Sequence, residues 1–365
     1  MAIRLFSFQL LTYFMIINVV KVFIPLAIAF FIGIAITPLL THYLYKHKMW
    51  KKKARTEGLG GGGTPIFNNL HKEKEVGTPR MGGIIIWMSV LLTMFAIWVI
   101  AKLFPSDITA KLNFLSREQT WLPLFTLIVA SLVGLVDDIL VIYGRGGYIA
   151  GGIPLKIRIG VVLLIGLIGG WWFFDKLDVS SIHIPFNGDW ELGIFIIPFF
   201  MITMLALFSG GVIDGIDGLA GGIMAAIFTS YAGIAFFQNQ IDLSAFCAVV
   251  AGGILAFLWF NIPPARFYMS ETGMLGLTTT ITVVAFLTKS VLVLPIIAMP
   301  LLLASLSVII QITSKKLRNG KKVFLVAPIH HHFEALGWPS YKVTMRFWVI
   351  SIFFAVIGLI VALIG

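Results

Sequence analysis

The segment WLPLFTLIVASLVGLVDDIL, residues 121–140, decides the fold class of this chain. An uncharged run ends there at two adjacent carboxylates, Asp137 and Asp138. A helix needs about 20 mostly apolar residues to cross a hydrocarbon core roughly 30 Å thick. The segment therefore predicts a transmembrane helix that ends at a pair of carboxylates.

The rest of the chain repeats this pattern. Of 365 residues, 59% are hydrophobic and 12% are charged, whereas soluble domains carry roughly 25% charged residues. Candidate spans lie near residues 17–44, 82–104, 121–140, 158–175, 192–209, 219–238, 243–261, 273–289, 291–313 and 343–364. We predict an all-α polytopic membrane protein with about ten transmembrane helices, in which residues 1–365 form a single integral membrane domain. The first apolar segment has no cleavage site after it, so we expect it to be retained.

The basic residues predict the orientation. Nineteen of the 27 Lys and Arg residues fall in loops on one side of the predicted spans. Cytoplasmic loops are enriched in Lys and Arg, so we predict that this side is cytoplasmic and that both termini lie on the outer face. Basic loops on the cytoplasmic side of the membrane account for the net charge of +11. The charge therefore does not require nucleic acid as a partner.

Two pairs of aspartates lie at predicted span ends on the cytoplasmic side. Asp137 and Asp138 are helix neighbours about 100° apart, so we expect them to contact different partners. A solvated helix end is the alternative, but carboxylates at membrane depth are usually functional. Asp214 and Asp217 are three residues apart within a glycine-rich stretch, which places them on one helix face or on one side of a tight turn. Asp217 could instead cap the next helix.

Further polar residues fall on the same side. Glu271 is either a carboxylate near a helix start or an oxygen ligand for Mg²⁺. His330, His331 and His332 follow Pro328, which cannot lie within a continuous helix, so we predict a loop there. Three adjacent histidines chelate one metal ion poorly and fit better as donors to developing negative charge.

These motifs carry a resemblance to a known family. The stretch Ala327-Pro-Ile-His-His-His-Phe-Glu334, with Gly337-Trp338 and Arg346-Phe-Trp348, resembles the signature of bacterial phospho-N-acetylmuramoyl-pentapeptide-transferases. Gly77-Thr-Pro79, Met81-Gly-Gly83, the Asp137-Asp138 pair and Asp214-Gly-Ile-Asp217-Gly-Leu-Ala220 agree in order and spacing. The aspartate motifs are shared with the wider polyprenyl-phosphate N-acetylhexosamine-1-phosphate transferase superfamily, whereas the histidine block is specific.

The resemblance implies an enzyme of the bacterial cytoplasmic membrane with a cytoplasmic active-site cleft and Mg²⁺ as cofactor. Its substrates would be UDP-N-acetylmuramoyl-pentapeptide and undecaprenyl phosphate, and its products lipid I and UMP, in peptidoglycan synthesis. A homodimer is left open. The implied roles are catalysis for Asp137, Asp138, Asp214, Asp217 and His330, and metal binding for Glu271 and Asp214. Substrate binding is implied for Thr78, Lys156, Arg158, Asn261, Tyr268, Gln311, His331 and His332, with Asn261, Tyr268 and Gln311 at the uridine end.

The chain departs from the family pattern at several positions. Glu271 replaces a usual aspartate, Arg80 a small residue and Glu75 a lysine, and residues 208–213 lack the usual asparagines. Three other functions remain open from the sequence. They are a sibling transferase that uses UDP-N-acetylglucosamine, a transporter with buried acidic residues, and an inactive relative that serves as a scaffold.

Overall fold

A computed structural model describes residues 2–52, 76–115, 119–146 and 151–365. Glu75 lies outside these ranges. The helices are α1 (Ala2–Lys46), α2 (Ile84–Leu103), α3 (Asp107–Leu112), α4 (Trp121–Ile142), α5 (Leu155–Lys176), α6 (Ile196–Ser209), α7 (Leu219–Phe237), α8 (Ile241–Asn261), α9 (Ser270–Leu287), α10 (Leu294–Ile297), α11 (Met299–Leu317), α12 (Ile329–Ala335) and α13 (Ser340–Ile364). Two short strands, β1 (Ser181–Ile184) and β2 (Gly188–Glu191), follow α5.

The prediction of ten membrane-spanning helices is confirmed. Ten helical segments within the described ranges are long and apolar enough to cross a bilayer. They are Met15–Lys46, Ile84–Leu103, Trp121–Ile142, Leu155–Lys176, Gly193–Ile213, Leu219–Phe237, Ile241–Asn261, Ser270–Leu287, Met299–Leu317 and Ser340–Ile364. The chain is therefore an all-α polytopic membrane protein, apart from one small hairpin.

Two boundaries differ from the predicted ones in ways that matter. Helix α5 begins at Leu155, three residues before the predicted start, so its first turn includes Lys156 and Arg158. Helix α9 begins at Ser270, which places Glu271 in its first turn. The predicted span 291–313 is divided into α10 and α11 at Ala298, in agreement with the proline pair Pro295 and Pro300 in that segment.

Helix α9 lies at the centre of the bundle. It packs mainly against α4 and also contacts α2 and α6. Its threonines are buried, and Thr278 and Thr279 donate to main-chain carbonyls one turn earlier, which satisfies hydroxyls away from water. Helices α9 and α11 have the lowest mean hydropathy of the ten spans. Even so, 89% of the residues in the most apolar stretch of α9 are buried. Its surroundings are therefore mostly protein, with little lipid contact.

The spans bring their polar ends together at one end of the bundle. The C-terminal end of α4 and the N-terminal ends of α5, α7 and α9 meet there. The opposite end holds the β1–β2 hairpin, in which Ile182 pairs with Trp190. His183 of that hairpin approaches the carbonyl of Gly365 after α13. The aspartate motifs and the end of α13 thus lie at opposite ends of the bundle.

Candidate active site

The two aspartates of α4 have different partners, as their helical positions predict. Asp137 accepts a hydrogen bond from the main-chain N–H of Ile153 at 2.6 Å. Asp138 accepts at one oxygen from the Nε and Nη2 of Arg80, at 3.1 and 3.0 Å, and at the other from the N–H of Thr272 at 3.0 Å. The Asp138 side chain is fully buried. Asp138 is therefore paired with a positive charge, and it joins α4 to the segment before α2 and to the start of α9.

Arg158 joins Asp137 to the start of α9. Its Nη1 donates to Glu271 Oε1 at 2.6 Å and lies 3.8 Å from Asp137 Oδ2. The Glu271 side chain is 28% exposed, whereas that of Asp137 is 4% exposed. This close approach of α4 and α9 depends on Gly134, because any side chain there would collide with the main chain of Glu271. Glu271 is thus the accessible carboxylate of this group.

Asp214 and Asp217 lie on a tight turn between the 3₁₀ turn Gly210–Ile213 and α7. Asp214 accepts from the N–H of Ser270 at 2.8 Å, and Asp217 from the N–H of Ala265 at 3.3 Å. Gly218, with φ 77°, occupies the N-cap position of α7, which has no side-chain cap. Burial raises the pKa of Asp214 to about 6, although the Ser270 N–H acts in the opposite direction. Asp217 is therefore tied to the loop before α9 and does not cap α7.

The histidine block lies on a helix, so the prediction of a loop is wrong. Pro328 occupies the N-cap position of α12, and His330, His331 and His332 form its first turns. Proline suits a helix start because the N–H that it lacks would have no partner within the helix there. A Cβ placed on Gly215 would lie 2.5 Å from His331 Nε2 and 2.8 Å from His330 Nε2. Two imidazoles thus pack directly against the main chain between Asp214 and Asp217.

A carboxylate orients one of these rings. His331 Nδ1 lies 2.7 Å from Glu334 Oε2, and the Ser340 hydroxyl donates to Glu334 Oε1 at 2.6 Å. An ionised Glu334 makes Nδ1 the donor, which directs Nε2 of His331 toward Gly215. His332 differs from its neighbours, since its Nδ1 accepts from the N–H of Leu325 at 3.2 Å. His330 and His331 therefore face the aspartate turn, and His332 holds the preceding segment.

Two amides that we expect at the uridine are occupied by the chain itself. Asn261 accepts from the N–H of Gly218 at 3.0 Å and donates to the carbonyl of Phe267 at 2.8 Å. Gln311 accepts from two N–H groups, those of residues 323 and 324, and donates to the carbonyl of Phe324. Both amides hold loops that border the site, and their contact with uridine stays a prediction.

The other predicted substrate residues differ in exposure. Lys156 is exposed, whereas Arg158 two residues later is buried and contacts the carboxylates. Thr78 is half-buried and lies two residues before Arg80. Tyr268 contributes main-chain hydrogen bonds to Pro79 and Gly82. Substrate binding by Thr78, Lys156 and Tyr268 likewise stays a prediction.

Comparison with known proteins identifies this arrangement. A model of glycosyl transferase family 4 matches residues 120–289, which include the four aspartates and Glu271. The phospho-N-acetylmuramoyl-pentapeptide-transferase of Geobacillus thermodenitrificans is 34% identical over 343 residues, covering 92% of this chain and 96% of the relative. That of Anoxybacillus flavithermus is 32% identical over 337 residues (91% and 95%), and that of Clostridium kluyveri 34% over 343 residues (93% and 98%). The chain belongs to the phospho-N-acetylmuramoyl-pentapeptide-transferase family.

Membership of this family confirms the resemblance found in the sequence. The chain is a multi-pass membrane protein of a transferase family that acts in cell-wall synthesis. Its charged side chains also distinguish it from a transporter with acidic residues at the bilayer midplane. Asp137 and Asp138 lie near the end of one span, Glu271 begins another, and Asp214 lies between two.

The described residues hold no group of three or more His, Cys, Asp or Glu side chains placed to bind a metal ion by themselves. Mg²⁺ does not require a full set of protein ligands. It usually binds one or two carboxylates, and substrate phosphates and water complete its coordination shell. Glu271 and Asp214 supply oxygen donors of that kind, and Glu271 is partly accessible. The donor set therefore fits Mg²⁺ bound together with a substrate.

Sequence reasoning missed three contributors to this family site. Arg80 is conspicuous in the sequence only as a departure from the family pattern, yet its guanidinium holds Asp138. Glu334 lies three residues after His331. In a helix this spacing brings the two side chains together, so a predicted helix would have indicated that they pair. Ser307 accepts from the N–H of Ile329 at 2.9 Å and so fixes the start of α12; no feature of the sequence points to it.

Proposed function

We propose that the chain transfers phospho-N-acetylmuramoyl-pentapeptide from UDP-N-acetylmuramoyl-pentapeptide to undecaprenyl phosphate, giving lipid I and UMP. The observation that carries this proposal is the convergence of five carboxylates, two arginines and two buried histidines at one end of the bundle. The names of the relatives support the donor class and a membrane acceptor. The basic loops support the cytoplasmic face of the bacterial inner membrane as the location.

In the proposed reaction a phosphate oxygen of the lipid attacks the sugar-linked phosphorus of the donor, and UMP leaves. Phosphoryl transfer requires positioning and neutralisation of charge more than covalent chemistry. Arg158 is placed to steady phosphates because it is a guanidinium beside the accessible Glu271. His330 and His331 approach the turn from the other side and can donate to developing negative charge.

Glu271 and Asp214 would hold Mg²⁺, whose charge would neutralise the donor pyrophosphate when bound. The Ser270 N–H fixes Asp214 at 2.8 Å, and Arg158 fixes Glu271 at 2.6 Å. Both carboxylates are therefore oriented by groups that belong to the start of α9 or contact it. Asp137 is the candidate for orienting or deprotonating the acceptor phosphate, since both oxygens of Asp138 already accept hydrogen bonds.

The test is release of UMP by the purified chain in detergent or vesicles. We expect release from the muramoyl-pentapeptide donor that depends on added undecaprenyl phosphate and is abolished by chelation of divalent cations. UDP-N-acetylglucosamine offered under the same conditions separates this proposal from the sibling transferase. Release that needs no lipid phosphate, or that is equal with both donors, would overturn the proposed specificity. Absence of release with either donor would favour the inactive relative.

A further inference from the structure

The main chain of Arg80 is held in place beside the carboxylate group. Its N–H donates to the carbonyl of Met49, just after α1. The residues on either side pair with the loop before α9, since Tyr268 donates to Pro79 and accepts from Gly82. The main chain at Arg80 is thus fixed to two different parts of the bundle, and its side chain extends toward the end of α4.

The guanidinium is only partly used by its carboxylate partner. Arginine has five N–H donors in a planar fork, and two of them, on Nε and Nη2, bind the same oxygen of Asp138. The other oxygen of Asp138 is occupied by the N–H of Thr272. Asp138 is fully buried, whereas the Arg80 side chain is 18% exposed. The pair therefore has its anion inside the protein and its cation on the accessible side.

Charges of other site residues also act on Arg80. Burial works to lower the pKa of its guanidinium, but the carboxylates of Asp138, Asp214 and Glu271 outweigh it, and the pKa is raised. A permanent cation thus lies within electrostatic range of both candidate metal ligands. Arg158 is a second such cation, because it contacts Glu271 and Asp137.

From this geometry we propose that Arg80 is a phosphate-binding residue, which holds a substrate phosphate with the donors that Asp138 does not use. The inference rests on the proposed function, because it presumes a phosphorylated substrate in this group of residues. Planar guanidinium groups match phosphate oxygens in pairs, which a lysine cannot do. The phosphate could come from the acceptor lipid or from the diphosphate of the donor, and the experiment distinguishes these sources.

Removing Arg80 alone would leave Asp138 buried without its counter-charge, which is strongly destabilising. The informative comparison is therefore between Asp138→Asn and the double variant Arg80→Gln/Asp138→Asn. Both variants lack the buried anion, and in each the side-chain amide oxygen introduced at position 138 can still accept from Thr272. Arg80→Lys in the otherwise unchanged chain keeps the charge and removes the planar fork.

Binding is measured by titration calorimetry on the full chain in detergent at saturating Mg²⁺, with farnesyl phosphate and UDP as probes and farnesol and uridine as phosphate-free controls. We expect the double variant to bind at least one phosphate probe about tenfold more weakly than Asp138→Asn does, with the controls unchanged and Arg80→Lys intermediate. Loss for farnesyl phosphate identifies the acceptor phosphate, and loss for UDP the donor diphosphate.

Equal binding of both phosphate probes by the single and double variants would show that Arg80 only neutralises Asp138, and would overturn the inference. Because binding is measured without turnover, this result is separate from the test of the proposed function. A chain that binds phosphate through Arg80 but releases no UMP would refute the reaction and leave the binding residue in place.

Discussion

Glu334 offers the sharpest test of how the histidines work. It lies on α12, its side chain is 3% exposed, and its two oxygens contact His331 and Ser340. The substitution Glu334→Gln keeps the size of the side chain and removes its charge. His331 would then lose the partner that fixes its tautomer and stabilises a positive charge on the ring. With Nδ1 as the donor to Glu334, Nε2 can donate toward the Asp214–Asp217 turn only when the ring is protonated, and that form would become rarer.

The magnitude follows from the kind of hydrogen bond that is lost. Hydrogen bonds to charged groups contribute about 1.5–3 kcal/mol, compared with about 1 kcal/mol for neutral ones. We expect kcat/KM for UMP release to fall about ten- to hundredfold, equal to about 1.4–2.7 kcal/mol of transition-state stabilisation. The loss should appear mainly in kcat, because charge on the transferred phosphoryl group develops in the transition state.

Ser340→Ala is the matched control. It removes the other hydrogen bond of Glu334, at 2.6 Å, and leaves the 2.7 Å contact with His331 in place. We expect this variant to keep kcat/KM within about threefold of the unchanged chain, since the lost hydrogen bond does not touch the ring. Its loss, about 1.5–3 kcal/mol for a charged acceptor, should lower stability instead. Full activity of Glu334→Gln, in a protein that is folded by size-exclusion chromatography, would refute the role assigned to the pair.

Four other predictions concern the metal ligands, the histidines and the topology. Glu271→Gln should abolish turnover at ordinary Mg²⁺, whereas Glu271→Asp should retain substantial activity; near-normal turnover of the Gln variant would exclude a metal ligand. His330→Ala should lower kcat/KM at least about tenfold, or about 1.4 kcal/mol, and indifference would make the ring structural. Burial raises the pKa of Asp214 to about 6, so its carboxylate becomes protonated as the pH falls through that value. The value of kcat/KM should therefore decline below about pH 6, and a decline that begins only near pH 4 would contradict this. Cysteines at Lys52 and Arg318 should resist impermeant reagents added to intact cells, and labelling from outside would reverse the predicted orientation.

The sequence predicts those parts of this molecule that depend on local pattern. Length and hydropathy predict the ten spans, and the 100° rotation between Asp137 and Asp138 predicts their separate partners. The tight turn at Asp214 and Asp217 was one of two interpretations that the three-residue spacing allowed. These features need only the residues within one or two helical turns.

What the sequence did not predict depends on contacts between distant segments. Arg80 reaches Asp138 across 58 positions, and Arg158 reaches Glu271 across 113. No local pattern encodes such pairs, because they follow from how the segment before α2 packs on α4 and how α5 packs on α9. The helix at the histidines was missed for a different reason: proline ends a helix in its interior but begins one at its N-terminus.

The four aspartates of the site share one kind of partner. Asp137, Asp138, Asp214 and Asp217 each accept a hydrogen bond from a main-chain N–H, contributed by residues 153, 272, 270 and 265 respectively. A main-chain donor stays the same when its own side chain is exchanged. Alanine scanning of positions 153, 270 and 272 would therefore leave these hydrogen bonds in place, and position 265 is already alanine. Proline alone lacks the N–H. Side-chain substitutions therefore cannot test the main-chain hydrogen bonds that orient these aspartates, whereas substitution by proline would remove them.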